Sequence, residues 1–207
     1  MNKRKLTGVF LVREKEYDDL LRIKTVGNQT GFYESLHYHR YEPTPYWILE
    51  RLLDEYEIKK EDHIVDFGCG KGRLNFFIHY KTGAYVSGVE MNEHFANEAK
   101  KNLENYLQKK KDRIHFYCCL AEDYVIKPTD NKFYFFNPFA ISIFRQVLAN
   151  ILLSVEQQYR EVHLILYYPS EDYIYYLDNQ SVFELYKEIV LNETNPFERI
   201  LIYRLAY

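Results

Sequence analysis

Ile64-Val65-Asp66-Phe67-Gly68-Cys69-Gly70-Lys71-Gly72-Arg73 is the stretch whose reading decides the fold. A short β-branched run ends in an acid, gives way to glycines at alternate positions, and leads into Leu74, Phe77 and Ile78 at helical spacing. Strand, tight turn and helix follow one another, and the glycines let backbone approach a ligand where a Cβ would clash. Outward from this unit the chain alternates β-branched or aromatic runs with longer segments of helical period, the pattern of βαβ units in a mostly parallel sheet. Strands are expected at His63 to Phe67, Tyr85 to Glu90, Ile114 to Cys119, Phe133 to Phe136 and Val162 to Tyr168, the last apolar enough to be central. Helices are expected from about Gly72 to Tyr80, from Asn92 as N-cap to about Leu107, and from Ile141 to about Val155. Val182 to Val190 and Arg199 to Leu205 leave no room for a crossover helix, so they should pair antiparallel. The expected fold is α/β: a three-layer αβα sandwich around a seven-stranded, Rossmann-like, mostly parallel sheet with a C-terminal antiparallel hairpin. Residues 1–45, with mixed charge and the pair Pro43 and Pro45, read as a partly helical N-terminal cap on a domain spanning 46–207 that opens with a helix from about Tyr46 to Tyr56.

Composition narrows the class. The 207 residues, 47% hydrophobic, suffice for one well-buried domain. A balance of 27 Lys and Arg against 30 Asp and Glu excludes a polybasic protein held to nucleic acid mainly by phosphate contacts. No apolar run approaches the ~18 residues of a membrane helix, and the apolar stretch Val9 to Val12 is too short for a signal peptide, so the protein is expected to be soluble and cytoplasmic, without a membrane partner. Cys69, Cys118 and Cys119 match neither a disulfide framework nor a zinc spacing, and His37, His39 and His115 lack an acid partner at metal spacing, so no metal is expected. Lys109, Lys110 and Lys111 follow the second helix, where cations complement its C-terminal dipole.

The third glycine of the turn comes one residue after the second, closer than in the G-x-G-x-x-G dinucleotide fingerprint, and Asp66 stands two positions before the first. That combination favours a ligand with an ammonium as well as a carboxylate, such as the methionine end of S-adenosylmethionine. Glu90 closes the second strand ~20 residues beyond the turn, where an acid can accept from both ribose hydroxyls. Leu120-Ala121-Glu122-Asp123 follows the third strand at the same sheet edge.

V-D-F-G-C-G-K-G followed by G-V-E resembles the class I S-adenosylmethionine-dependent methyltransferase family over roughly residues 45 to 207. The resemblance implies S-adenosylmethionine as cofactor, with Asp66, Gly68 and Gly70 at its methionine end, Glu90 at the ribose, and Ala121 with Glu122 or Asp123 at the adenine. Many members have an acid immediately before the alanine; Leu120 stands there in this chain. Tyr38 to Tyr46 contains a Tyr-x-Pro-Thr segment similar to the lead-in that closes over the cofactor in several members, which would add Tyr41 and Thr44 to the binding set; a proline-stiffened linker is the alternative.

Phe136-Asn137-Pro138-Phe139 resembles the Asn-Pro-Pro-Tyr or Asn-Pro-Pro-Phe motif of amino-group methyltransferases, with one proline fewer. It implies that Asn137 and the Pro138 carbonyl accept hydrogen bonds from the acceptor nitrogen and that Phe139 stacks beside it; a plain strand-end turn is the competing reading. The expected activity is methyl transfer to a nitrogen of an unidentified acceptor, and the alternative is a non-catalytic S-adenosylmethionine-binding module or partner subunit. Residues 121 to 207 hold 7 Lys and Arg against 12 Asp and Glu, and Glu171 and Asp172 follow the fifth strand among tyrosines, which favours an amine or basic protein over nucleic acid as acceptor. The pattern singles out no oligomeric state.

Overall fold

The computed structural model describes residues 14–26, 42–108 and 111–206. His37, His39, Tyr41, Lys109 and Lys110 lie outside the described residues. A helix over 14–21 (α1) precedes α2 (Tyr46–Glu55), β1 (His63–Phe67), α3 (Arg73–Thr82), β2 (Tyr85–Glu90), α4 (Glu93–Asn105), β3 (Ile114–Cys118), β4 (Lys132–Phe135), α5 (Ile141–Gln157), β5 (His163–Tyr167), α6 (Glu171–Gln180), β6 (Phe183–Val190) and β7 (Arg199–Leu205). The strands form one sheet in the order β3-β2-β1-β4-β5-β7-β6. Pairing is parallel from β3 through β5, and β7 runs antiparallel to both β5 and β6.

Side-chain alternation along the strands divides the interior into two cores. Ile64, Val86, Ile114, Tyr134 and Ile165 face a layer containing α1 to α4, with Leu21, Leu49, Leu52, Leu74 and Phe77 buried against them. Val65, Val89, Phe133, Phe135, Leu164 and Leu166 face α5 and α6, meeting Phe144, Leu148, Ile151, Tyr173 and Leu177. β5 is buried along its whole length between β4 and β7, as its unbroken apolar run requires. Asn92 caps α4 by accepting from the amides of His94 and Phe95. Glu171 and Asp172 open α6, which is started by Ser170, with Oγ accepting from Tyr173 N.

The described part of the N-terminal segment is fastened to the sheet domain through a buried charge. Arg73, the first residue of α3, is 4% exposed. Its guanidinium donates to Glu14 of α1, to Thr25 Oγ1 at 2.7 Å and to the Thr44 carbonyl at 3.4 Å, and it lies over the Tyr46 ring. Asp18 supports the same cluster, accepting from the Tyr46 hydroxyl at 2.7 Å and from the amide and hydroxyl of Thr25. Burial holds the Glu14 carboxyl above its ordinary range despite the neighbouring guanidinium.

Removing one partner of a buried pair leaves the other charge uncompensated, a loss of about 3–5 kcal/mol. Glu14→Ala should therefore lower unfolding free energy by about that amount, whereas Arg73→Met with Glu14→Leu should recover most of it. Urea denaturation of both variants checks this: equal losses would show that packing, not charge, joins α1 to α3.

Candidate functional site

β1 delivers Asp66 and Phe67 to the carboxyl edge of the sheet, and the chain then turns through Gly68, Gly70 and Gly72 with φ of 80°, 54° and 86°. Gly68 could not be replaced cheaply, because a Cβ there would stand 2.8 Å from Pro138 Cβ as well as in the left-handed region. The amides of Gly68 and Cys69 donate to the Val89 carbonyl at 2.9 and 3.1 Å, fastening the turn to the end of β2. Glu90 completes the fastening: Oε2 accepts from Gly70 N at 2.9 Å and Oε1 from Asn92 N at 2.8 Å. From the other side Asn102 of α4 donates to the Lys71 carbonyl at 3.1 Å.

Two carboxyls thus meet in a protein-lined environment. Asp66 is 4% exposed and Glu90 8%. Burial, with the Glu90 charge nearby, pushes Asp66 up to about 8. Burial also raises Glu90, opposed by the amide hydrogen bonds from Asn92, Gly70 and Met91. A carboxyl this reluctant to ionise gains most from a cation placed beside it.

Tyr134 of β4 pairs in register with Asp66, and its hydroxyl hydrogen-bonds Thr44 Oγ1 at 2.9 Å. Thr44 is accordingly buried and tied to the strand neighbouring Asp66, behind the glycine turn. Tyr134 was missed in the sequence reading although the signal was there: alternation along β4 puts it on the Asp66 side. Gly88 was missed likewise, a glycine inside β2 where a Cβ would meet Cys69 Sγ at 2.7 Å.

The chain leaves β4 at Phe136 and bends sharply at Asn137, whose φ is 41°. Asn137 and Pro138 are brought against the glycine turn by the Gly68–Pro138 approach. Phe139 is a correction. Its ring, expected to stack beside an acceptor, is 1% exposed, edge-on to Phe135 in the core, and its carbonyl accepts from the Tyr173 hydroxyl.

Ala121, Glu122 and Asp123 form a 3-10 turn directly after β3, whose exit is held by Cys119 N donating to the Glu90 carbonyl at 3.2 Å. Ala121 is buried, Glu122 half-buried with its carbonyl taken by Asn150, and Asp123 exposed. Glu171 and Asp172 are exposed in the first turn of α6 at the same edge. The tyrosines around them do not make one rim: Tyr173 is core, stacked on Phe144, and Tyr176 lies under the Arg145 guanidinium, leaving Tyr168 and Tyr175 outward. Among the described residues no group of His, Cys, Asp and Glu could hold a metal ion, and no helix is long and apolar enough to cross a membrane.

Residues 45–133, which include the glycine turn and Glu90, match the family described as a methyltransferase domain. Over 81 residues, 39% of this chain, the sequence is 31% identical to a sphingolipid C9-methyltransferase of Candida albicans, and the match spans 15% of that enzyme. Among solved structures, an RNA methyltransferase from Salinibacter ruber in complex with S-adenosyl-L-homocysteine superimposes with a TM-score of 0.57 at 17% identity, over 80% of this chain and 94% of that one. A glycopeptide N-methyltransferase complexed with S-adenosylmethionine gives 0.60 at 11% identity over 78% and 86%. A geranyl diphosphate C-methyltransferase from Streptomyces coelicolor A3(2) gives 0.56 at 13% identity over 78% and 79%. Similarity at these identities establishes the fold, and the matched stretch carries the turn and the acid that the fold sets at one edge. Residues 45–133 thus match a methyltransferase-domain family, and the fold over about four fifths of the chain is the one these methyltransferases share.

Proposed function

We propose that the protein moves the methyl group of S-adenosylmethionine to a nitrogen of its acceptor, with the cofactor held by the glycine turn, Asp66 and Glu90 and the acceptor met by Asn137 and Pro138. The observation that carries the reading is the packing of Pro138 on Gly68, which sets the Asn-Pro turn beside the one segment rich in left-handed backbone.

The residues fit the cofactor on chemical grounds. The raised Asp66 carboxyl suits an ammonium, which would return it to its ionised form. Glu90 accepts from the amides of Asn92, Gly70 and Met91, so the carboxylate that shapes the turn keeps acceptor capacity for a ribose hydroxyl. Ala121 with Glu122 or Asp123 stands next to Glu90 for the adenine. Tyr41 and Thr44 belong to the proposal differently: Thr44 acts through its bond to Tyr134, steadying the Asp66 neighbourhood.

S-adenosylmethionine, when bound, supplies a sulfonium-activated methyl carbon. The chain's own part is alignment. Asn137 Oδ1 and the Pro138 carbonyl accept N–H groups of the acceptor and aim its lone pair, and the left-handed backbone at Asn137 fixes the direction of that side chain. Phe139 buries its ring to anchor the turn from beneath. The exposed acids Glu171 and Asp172 favour an amine or basic protein over a phosphate-rich acceptor.

Two outcomes follow. Between about pH 4 and 8 the folded apoprotein keeps on Asp66 a proton that the unfolded chain releases, so apoprotein stability falls as pH rises through that window. An ammonium ligand reverses the preference. Cofactor binding at pH 7 should expel a proton from Asp66, tighten from pH 6 to 8, and lose both properties in Asp66→Asn. Calorimetry in buffers of different ionisation enthalpy reads the proton directly; a heat that ignores the buffer would remove Asp66 from the ammonium site.

Asn137→Ala should keep cofactor affinity within about twofold and lower the rate of methyl transfer by about 100-fold or more, since its hydrogen bonds align the acceptor and not the cofactor. Incubation of cell extract with methyl-labelled cofactor and mass spectrometry supplies the acceptor and the assay. Label on carbon or oxygen would overturn the nitrogen assignment; cofactor binding without any label in any fraction would leave a binding module.

A further inference from the structure

The opposite edge of the sheet carries a second cavity, of about 210 Å³, lined by the amino-terminal ends of β1, β2 and β3 and by the β3–β4 connection. Three steps along β2 separate its innermost lining residue on that strand, Ser87, from Glu90, about 10 Å at strand rise. Its polar lining holds two cations, Arg113 and Lys127, two imidazoles, His63 and His115, and the hydroxyls of Ser87 and Thr129. We propose that this cavity binds the phosphate group of a small anionic ligand.

Register explains how the side chains come together. His63 pairs with Tyr85, and Ser87 with His115, so alternate positions of three adjacent strands point to one face. The lining is stiff on one side, where His63 stacks on Tyr85 at 4.3 Å between centroids and the Arg113 guanidinium lies 4.4 Å from the same ring. Lys127 comes from the connection, held by a 2.6 Å hydrogen bond to the Tyr117 hydroxyl.

A helix end at this edge accounts for one of these cations and not for the others. α3 terminates at Thr82, and Arg113 donates to the Gly83 carbonyl at 2.7 Å and the Lys60 carbonyl at 3.4 Å, an ordinary use of a cation at a helix C-terminus. His115 is held by a hydrogen bond to the backbone of Asp112, and it shares the cavity with His63, Lys127 and Arg113. The acids nearest to them are committed elsewhere or set to one side. Asp62 accepts from Lys59 N and Asn131 Nδ2 and pairs with Lys132, the buried Asp130 accepts from Lys127 N at 2.8 Å and from the Tyr124 hydroxyl, and Asp112 bears on His115 from the turn before β3.

Like charges crowd the histidines. Burial and the Lys127 charge hold both His63 and His115 below the ordinary imidazole range, with Arg113 adding to the effect on His63 and the charges of Asp62 and Asp112 opposing it. An anion among these groups favours the imidazolium forms, so binding should take up protons. Phosphate suits the set better than a carboxylate because it offers more charge and more acceptor oxygens to Arg113 and Lys127.

Inorganic pyrophosphate is the probe, since it lacks the base and ribose that would direct a nucleotide to the Glu90 edge, and the acids there repel it. Calorimetry should show binding severalfold tighter at pH 6 than at pH 8, and His63 and His115 imidazole pKa values measured by NMR should rise when it binds. His115→Ala with Lys127→Ala should weaken binding about tenfold or more, while Lys101→Ala, an exposed lysine on α4 paired with Glu98, should not. The NMR titration uses the wild-type chain and stands even if the double variant folds poorly. Unshifted histidines, or a folded double variant that binds as before, would overturn the proposal. Binding of single-stranded RNA where pyrophosphate fails would also overturn it, replacing a small-ligand cavity with a nucleic-acid surface.

Discussion

Everything at the candidate site depends on how closely backbone can approach backbone between β1 and α3. Gly68 lies against Pro138, Gly72 leaves no space before the Phe116 and Phe76 rings, and Gly88 gives way to Cys69 Sγ and Phe116. These contacts let three strands end within reach of one another, so that Asp66, Glu90 and Asn137, remote in sequence, share one edge. The glycines also turn amides inward. Gly70 N donates to Glu90 because the left-handed residues on the turn rotate that peptide toward β2. A side chain at Gly68 would push the Asn-Pro turn away from the glycine turn.

The second dependence is electrostatic. Asp66 and Glu90 are buried side by side, and a fold that buries two acids tends to protonate one. Here the division is set by hydrogen bonding. Glu90 has amide donors on both oxygens, while Asp66 has burial and the Glu90 charge against its ionisation. Glu90 therefore serves as the fixed structural acceptor and Asp66 as the group whose charge answers to what binds. On the other side of the glycine turn, Arg73 uses its charge internally, joining Glu14, Thr25 and Thr44, so the segment before β1 is latched at the first residue of α3.

The order and type of the elements were legible because βαβ periodicity is a local property: β1, β2 and β7 have the bounds read from the sequence, and α4 starts at the N-cap expected for it. The turn chemistry was legible for the same reason, since left-handed backbone leaves glycine as its mark. What escaped depended on packing between distant segments. Only tertiary context makes Tyr173 and Leu177 the inner face of α6. Phe139 has the composition of a stacking residue, but its ring packs edge-on to Phe135 in the core, and no local signal reports that placement. The Arg73 cluster joins residues from Glu14 to Tyr46, beyond any window in which periodicity operates.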